Sequence, residues 1–134
     1  MLAYCTYCSA EKNYSDKLLP AVDLYISERI AKVYDLAEKA GLKFVILSGK
    51  FGIMETHQKI GHYDHLLNAS EVETHSDLVA SQLKEKKITH LVFYRSSMER
   101  DKNIKPYSDC ILEASAKIGI PIEFRDADFN DRSI

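Results

Sequence analysis

KFVILSGKFGIM (43–54) reads as a strand that ends in a turn built on two glycines. Its apolar run is continuous rather than alternating. That is the pattern of a strand covered on both faces, as in parallel sheets. Gly49 and Gly52 predict a sharp exit, because glycine accepts positive φ and lets a ligand come close to backbone amides. The glycine spacing matches neither a Walker A loop nor a dinucleotide fingerprint. A plain strand-exit turn is the simpler reading.

Outward from this strand the chain alternates. LAYCTYC (2–8), ITHLVFY (88–94) and IPIEFRDA (120–127) have strand character. Between them, helical apolar spacing runs over 21–40, 70–87 and 107–119. Pro20 suits the first turn of the first helix, and Gly41 and Gly119 stop the first and last. Ser70 and Glu73 have capping-box spacing. Polar loops are predicted at 9–19, 55–70 and 95–106. This βαβ alternation predicts an α/β fold: a single three-layer Rossmann-like domain over 1–134. Its sheet is mostly parallel, with at least four strands and helices on both faces. In such sheets ligands bind beyond the carboxyl ends of the strands, so the loops after Cys8, Ser48 and Tyr94 are where a site belongs.

Composition narrows the classes. The chain has 134 residues, 46% of them hydrophobic and 28% charged, with a formal net charge of -2. That is ordinary globular composition with no global basic field to draw in nucleic acid. No apolar run approaches the roughly 20 residues of a membrane span, and no basic n-region with an apolar h-region opens the chain. With three cysteines and no secretory signal, reduced thiols and a cytoplasmic location are expected.

Cys5 and Cys8 have half of a zinc spacing, but a second pair is missing, so no metal and no cofactor is expected. Cys5 reads as a core residue. Cys8, at the strand end beside Ser9 and near Lys12, could be structural, or it could be reactive with its thiolate favoured by the ammonium. Lys12 is either a solvated surface lysine or an anion partner and proton donor. In IGHYDHLL (60–67), His62, Asp64 and His65 could suggest a metal, but consecutive residues rarely converge on one ion. Tyr63 could instead stack on a ring, with Asp64 accepting from ring N–H groups. Arg95 suits a phosphate or carboxylate, or is a surface charge.

Four motifs taken together, CSAEK, LPAVDLYIS, FVILSGKFGI and IGHYDHLL, resemble a bacterial and phage family of uncharacterised α/β domains over about residues 3–67. Phe51 stands where that family usually has Tyr, and Ile53 where it has Leu. Cys8, Lys12 and Tyr14 also resemble the motif of the core domain of archaeosine synthase, which acts on the nitrile of a 7-deazaguanine base in transfer RNA. Asn13 replaces that motif's proline, and its following histidine is missing. LSGKFGI is weakly similar to the peroxide-stress protein family. Related domains occur in systems that put 7-deazaguanines into DNA.

The resemblance implies a nucleobase or nucleotide ligand and an enzyme acting on a modified purine-like base or nucleoside. Lys12 and Cys8 would be catalytic. Ser9, Tyr25, Ser48, Gly49, Gly52, Tyr63, Asp64 and Tyr94 would bind the ligand. The alternatives are a non-catalytic nucleotide-binding module, which the lack of an obvious acid–base pair favours, and a small subunit of a larger nucleic-acid-modifying system. The partner expected is a small nucleobase or nucleotide. Nucleic acid is expected only with help from another domain or chain. No membrane partner is expected, and a homodimer is compatible with the sequence.

Overall fold

A computed structural model describes residues 1–10, 12–13 and 17–126. Tyr14 and Ala127, which figured in the sequence reading, lie outside them. The main sheet has five strands: β1 (Leu2–Tyr7), β3 (Lys43–Ser48), β4 (Gly52–Glu55), β6 (His90–Arg95) and β7 (Ile122–Asp126). Their order across the sheet is β4-β3-β1-β6-β7. β1 pairs in parallel with β3 and β6, and β6 with β7. β4 turns back antiparallel on β3. The continuous apolar run of β3 is therefore buried as expected, and Val45, Ile46 and Leu47 are 0% exposed. Each such side chain contributes about 1.5–3 kcal/mol relative to an exposed one.

The helices are α1 (Ala21–Leu24), α2 (Glu28–Ala40), α3 (Val72–Glu85) and α4 (Ile104–Ile118). Thr6 accepts a hydrogen bond from Arg29 of α2, which packs against β1 and β3, while α3 and α4 pack on one another. Gly41 and Gly119 end α2 and α4 in the left-handed conformation. No helix among the described residues is long and apolar enough to cross a membrane.

Three local expectations are corrected. The helix predicted over 21–40 is broken at Tyr25, which is extended and bridges to Lys12, and Ser27 caps a fresh start by accepting from Ile30 N at 3.1 Å. The loop predicted at 55–70 contains β5 (Lys59–Ile60), paired with β2 (Leu19–Pro20), and a 3₁₀ turn at Ala69–Glu71. The capping box is Asn68 with Glu71, not Ser70 with Glu73, because the chain enters this turn before α3.

Candidate functional site

The sheet order reverses at β1: the chain runs first to β3 on one side, then to β6 on the other. Loops leaving β1 and β6 diverge there, which opens a crevice at the carboxyl end of β1. Cys8 N donates to Leu47 O at 2.9 Å, so the exits of β1 and β3 lie side by side. At this edge is a cavity of about 220 Å³, lined by Cys8, Ser9, Ala10, Lys12, Asp64, His65, Leu66 and Tyr107.

Of the residues singled out in the sequence, Cys8, Ser9, Lys12 and Asp64 line this cavity. The Cys8 thiol donates to Tyr107 Oη at 3.6 Å, and Leu67 N donates to the same oxygen at 3.1 Å. Lys12 extends its ammonium over the Tyr63 ring, 4.9 Å from the centroid, and 5.8 Å from that of Tyr25. This cation–π arrangement holds the charge at the cavity wall. Asp64 is exposed at the rim.

Tyr25, Ser48 and Tyr63 form a buried layer and are not among the lining residues. Ser48 Oγ accepts from Lys50 N at 3.1 Å and Phe51 N at 3.0 Å. Both its lone pairs are thus used, so its own proton goes to Tyr63 Oη, 2.8 Å away. Tyr63 in turn donates to Tyr25 Oη. Burial first, then the nearby Cys8, pushes the Tyr25, Tyr63 and Tyr107 hydroxyls up, so they stay protonated. Tyr63 also packs edge-on against Phe51 at 5.0 Å, and its ring serves the protein's own packing and Lys12.

The glycines serve the fold. A Cβ on Gly49 would lie 2.9 Å from Tyr107 Oη, 3.0 Å from Leu67 N and 3.1 Å from His65 O. The close approach is that of the protein's own loop rather than of a ligand. Gly52, at φ +74°, sits against Gln82, which accepts from Ile53 N at 2.7 Å and donates to Phe51 O at 2.9 Å. Tyr94 turns to Tyr4 at 5.3 Å, accepts from Arg125 at 2.9 Å, and is not among the lining residues. Arg95 pairs with Asp126 and lies over Phe124.

Three contributors were not anticipated. Tyr107 was only the first residue of the helix predicted over 107–119. His65 was weighed only as a metal ligand, yet its Nε2 lies 3.0 and 3.2 Å from the two Glu71 carboxylate oxygens. Arg29 is 1% exposed and donates to Thr6 Oγ1 at 2.6 Å, Tyr7 O at 2.5 Å and Cys8 O at 3.2 Å. Its guanidinium lies 3.6 Å from the Tyr7 ring centroid. Arg29 therefore fixes the backbone that delivers Cys8. Its position four before Val33 on the apolar stripe of α2 was the available signal. Among the described residues, no three His, Cys, Asp or Glu side chains group as metal ligands would.

A four-strand parallel core with a thiol, an ammonium and a carboxylate around one cavity at its carboxyl edge defines a Rossmann-like α/β domain. The chain belongs to a family of unknown function (DUF6884), whose sequence model matches residues 5–119. No curated protein and no solved structure matches it.

Proposed function

We propose that the chain is an enzyme acting on a modified purine-like base or nucleoside of the 7-deazaguanine type, bound at the carboxyl ends of the strands. The observation that supports this reading is one cavity at which the cysteine and the lysine of CSAEK meet the aspartate of IGHYDHLL. Its volume of about 220 Å³ lies below the roughly 300–1,000 Å³ of drug-sized sites, which suits a base with its sugar left outside. Asp64 accepts from ring or exocyclic N–H groups, and a charge-assisted hydrogen bond of this kind is worth about 1.5–3 kcal/mol. Lys12 supplies a proton or steadies developing negative charge, and Cys8 is the nucleophile. Ser48 and Tyr63 support Lys12 from below. A polynucleotide substrate would need a second domain or chain, because there is no basic run to hold its phosphates.

The second reading is a nucleobase-binding module without chemistry. It is favoured by the burial of Cys8, which is only 2% exposed. Thermal shift against purine and 7-deazapurine bases and nucleosides finds the ligand, since binding raises apparent stability by mass action. Calorimetry and a product assay then separate the readings. Asp64→Asn is expected to weaken binding about tenfold or more. Lys12→Ala is expected to lower turnover more than affinity in an enzyme, and affinity alone in a binding module. Unchanged affinity in both variants would place the ligand elsewhere.

A further inference from the structure

The sequence offers no obvious acid–base pair, but the folded chain provides one at the cavity. His65 lines the same cavity as Cys8, and its Nε2 lies against both oxygens of Glu71, at 3.0 and 3.2 Å. A carboxylate only accepts, so Nε2 carries a proton, and in the neutral imidazole Nδ1 then has the lone pair. Glu71 is itself held, because its Oε1 accepts Asn68 N at 3.1 Å in the capping box. The imidazole therefore has a fixed tautomer and an anchored orienting partner.

The loop carrying His65 is also tied to Cys8. Tyr107 Oη joins the Cys8 thiol at 3.6 Å to Leu67 N at 3.1 Å, two residues beyond His65. Gly49 lets His65 O and Leu67 N press onto the exit of β3. Cys8, His65 and Glu71 thus sit on three segments joined through Tyr107, the Glu71 carboxylate and the packing at Gly49, with Cys8 and His65 facing one cavity. A thiol, an imidazole and a carboxylate that orients it are the parts an activated nucleophile needs.

We propose that Cys8, His65 and Glu71 form a nucleophile–base–carboxylate triad, with Tyr107 as hydrogen-bond donor to the sulfur once it is ionised. The Cys8 S–H proton passes to His65 Nδ1, directly or through one water. The sulfur lone pair then forms an S–C bond to a C=N or C=O carbon of the ligand. The π pair of that bond moves to its nitrogen or oxygen, which takes the proton back from the imidazolium. The step is an addition and needs no oxidant or reductant. The charged and titratable groups around the imidazole are Glu71 and the neighbouring Asp64 and, lining the same cavity, Lys12, Cys8 and Tyr107.

The triad rests on reading the cavity as an active site, but its test needs no nucleobase, so it can fail or succeed apart from the ligand assignment. The measurement is the rate of Cys8 alkylation by iodoacetamide against pH, followed by peptide mass spectrometry. The wild-type protein should show a reactive component that titrates between about pH 5 and 8, where an imidazole changes charge. His65→Ala should abolish this component and slow Cys8 alkylation at neutral pH about tenfold or more. Glu71→Gln keeps the capping hydrogen bond, because glutamine also fills that position. It should nevertheless shift the component to a different pH, which loss of folding would not do. If the wild-type and His65→Ala profiles coincide, or Cys8 stays unmodified at every pH, the triad is overturned. A Glu71→Gln protein with a wild-type profile removes Glu71 from it and overturns the three-residue form.

Discussion

Gly49 lacks a side chain because three of the protein's own atoms fill the space a Cβ would take. Two of them are backbone atoms of the loop that brings Asp64 and His65 to the cavity, so they cannot rotate away. Gly49→Ala should cost about 1–3 kcal/mol, in the range of overpacked interiors, measured by urea unfolding. Unchanged stability would show that the 65–67 loop moves freely, and the tie between His65 and Cys8 would go with it. The thiols are divided at this same scale. Burial pushes the Cys110 thiol up to about 12, and burial pushes Cys5 up further still. The two core cysteines are thus inert, while Cys8 opens on the cavity. Cys5 was legible as core from its place inside an apolar strand. The partners of Cys8 were not, since Tyr107 lies 99 residues away in the chain.

β4 shows what an edge element needs. It is short and antiparallel, and it ends in one charged residue, Glu55; short edge strands limit pairing with other chains. Glu55 accepts hydrogen bonds from Lys43 and, at 3.5 Å, from Lys86 just beyond α3. The Lys43 hydrogen bond holds the Glu55 carboxyl below the usual carboxylate range, against the opposing effect of partial burial. A carboxyl lowered in the folded state contributes stability above its unfolded value, near 4.3, and loses it as pH falls through the folded value. Because Glu55 is about half exposed, the contribution is screened to a few tenths of a kcal/mol, at most about 1. Glu55→Gln should therefore lower stability by that amount at neutral pH and make no difference once the carboxyl is protonated. Urea melts at both pH values check this, and an equal loss at both would assign the effect to packing. The break between α1 and α2 has a similar local cause. Ser27 is a good N-cap inside a sequence with helical spacing, and the tertiary contacts of Tyr25 select the break.

Across the whole molecule, β1 is the central strand, hydrogen-bonded on both sides and covered on both faces. Its carboxyl end is also the place where the sheet order reverses. The strand paired on both sides therefore carries the cavity, and Cys8 follows directly on it. Hydrogen exchange followed by mass spectrometry should find β1 and β3 slowest, with β4 and β7 at the edges faster. Amides of β1 that exchange as quickly as those of β7 would contradict this distribution.

By itself, the sequence determined the mostly parallel α/β architecture and the sheet edge at which the cavity lies. Both follow from local signals: continuous apolar runs, helical spacing, and glycines past the helix ends. It also singled out Cys8, Ser9, Lys12 and Asp64, which share the cavity, because polar residues at strand exits stand out against apolar strands. The tertiary structure alone decided the rest. Ser48, Gly49 and Tyr63 look like ligand contacts in sequence, but hydrogen bonds and close approaches to distant segments use them to support the site. Arg29, Tyr107 and the His65–Glu71 pair gain their roles only through neighbours brought near by folding. Long-range proximity leaves no periodic trace in the chain, and a side chain's chemistry is set by what folding places beside it.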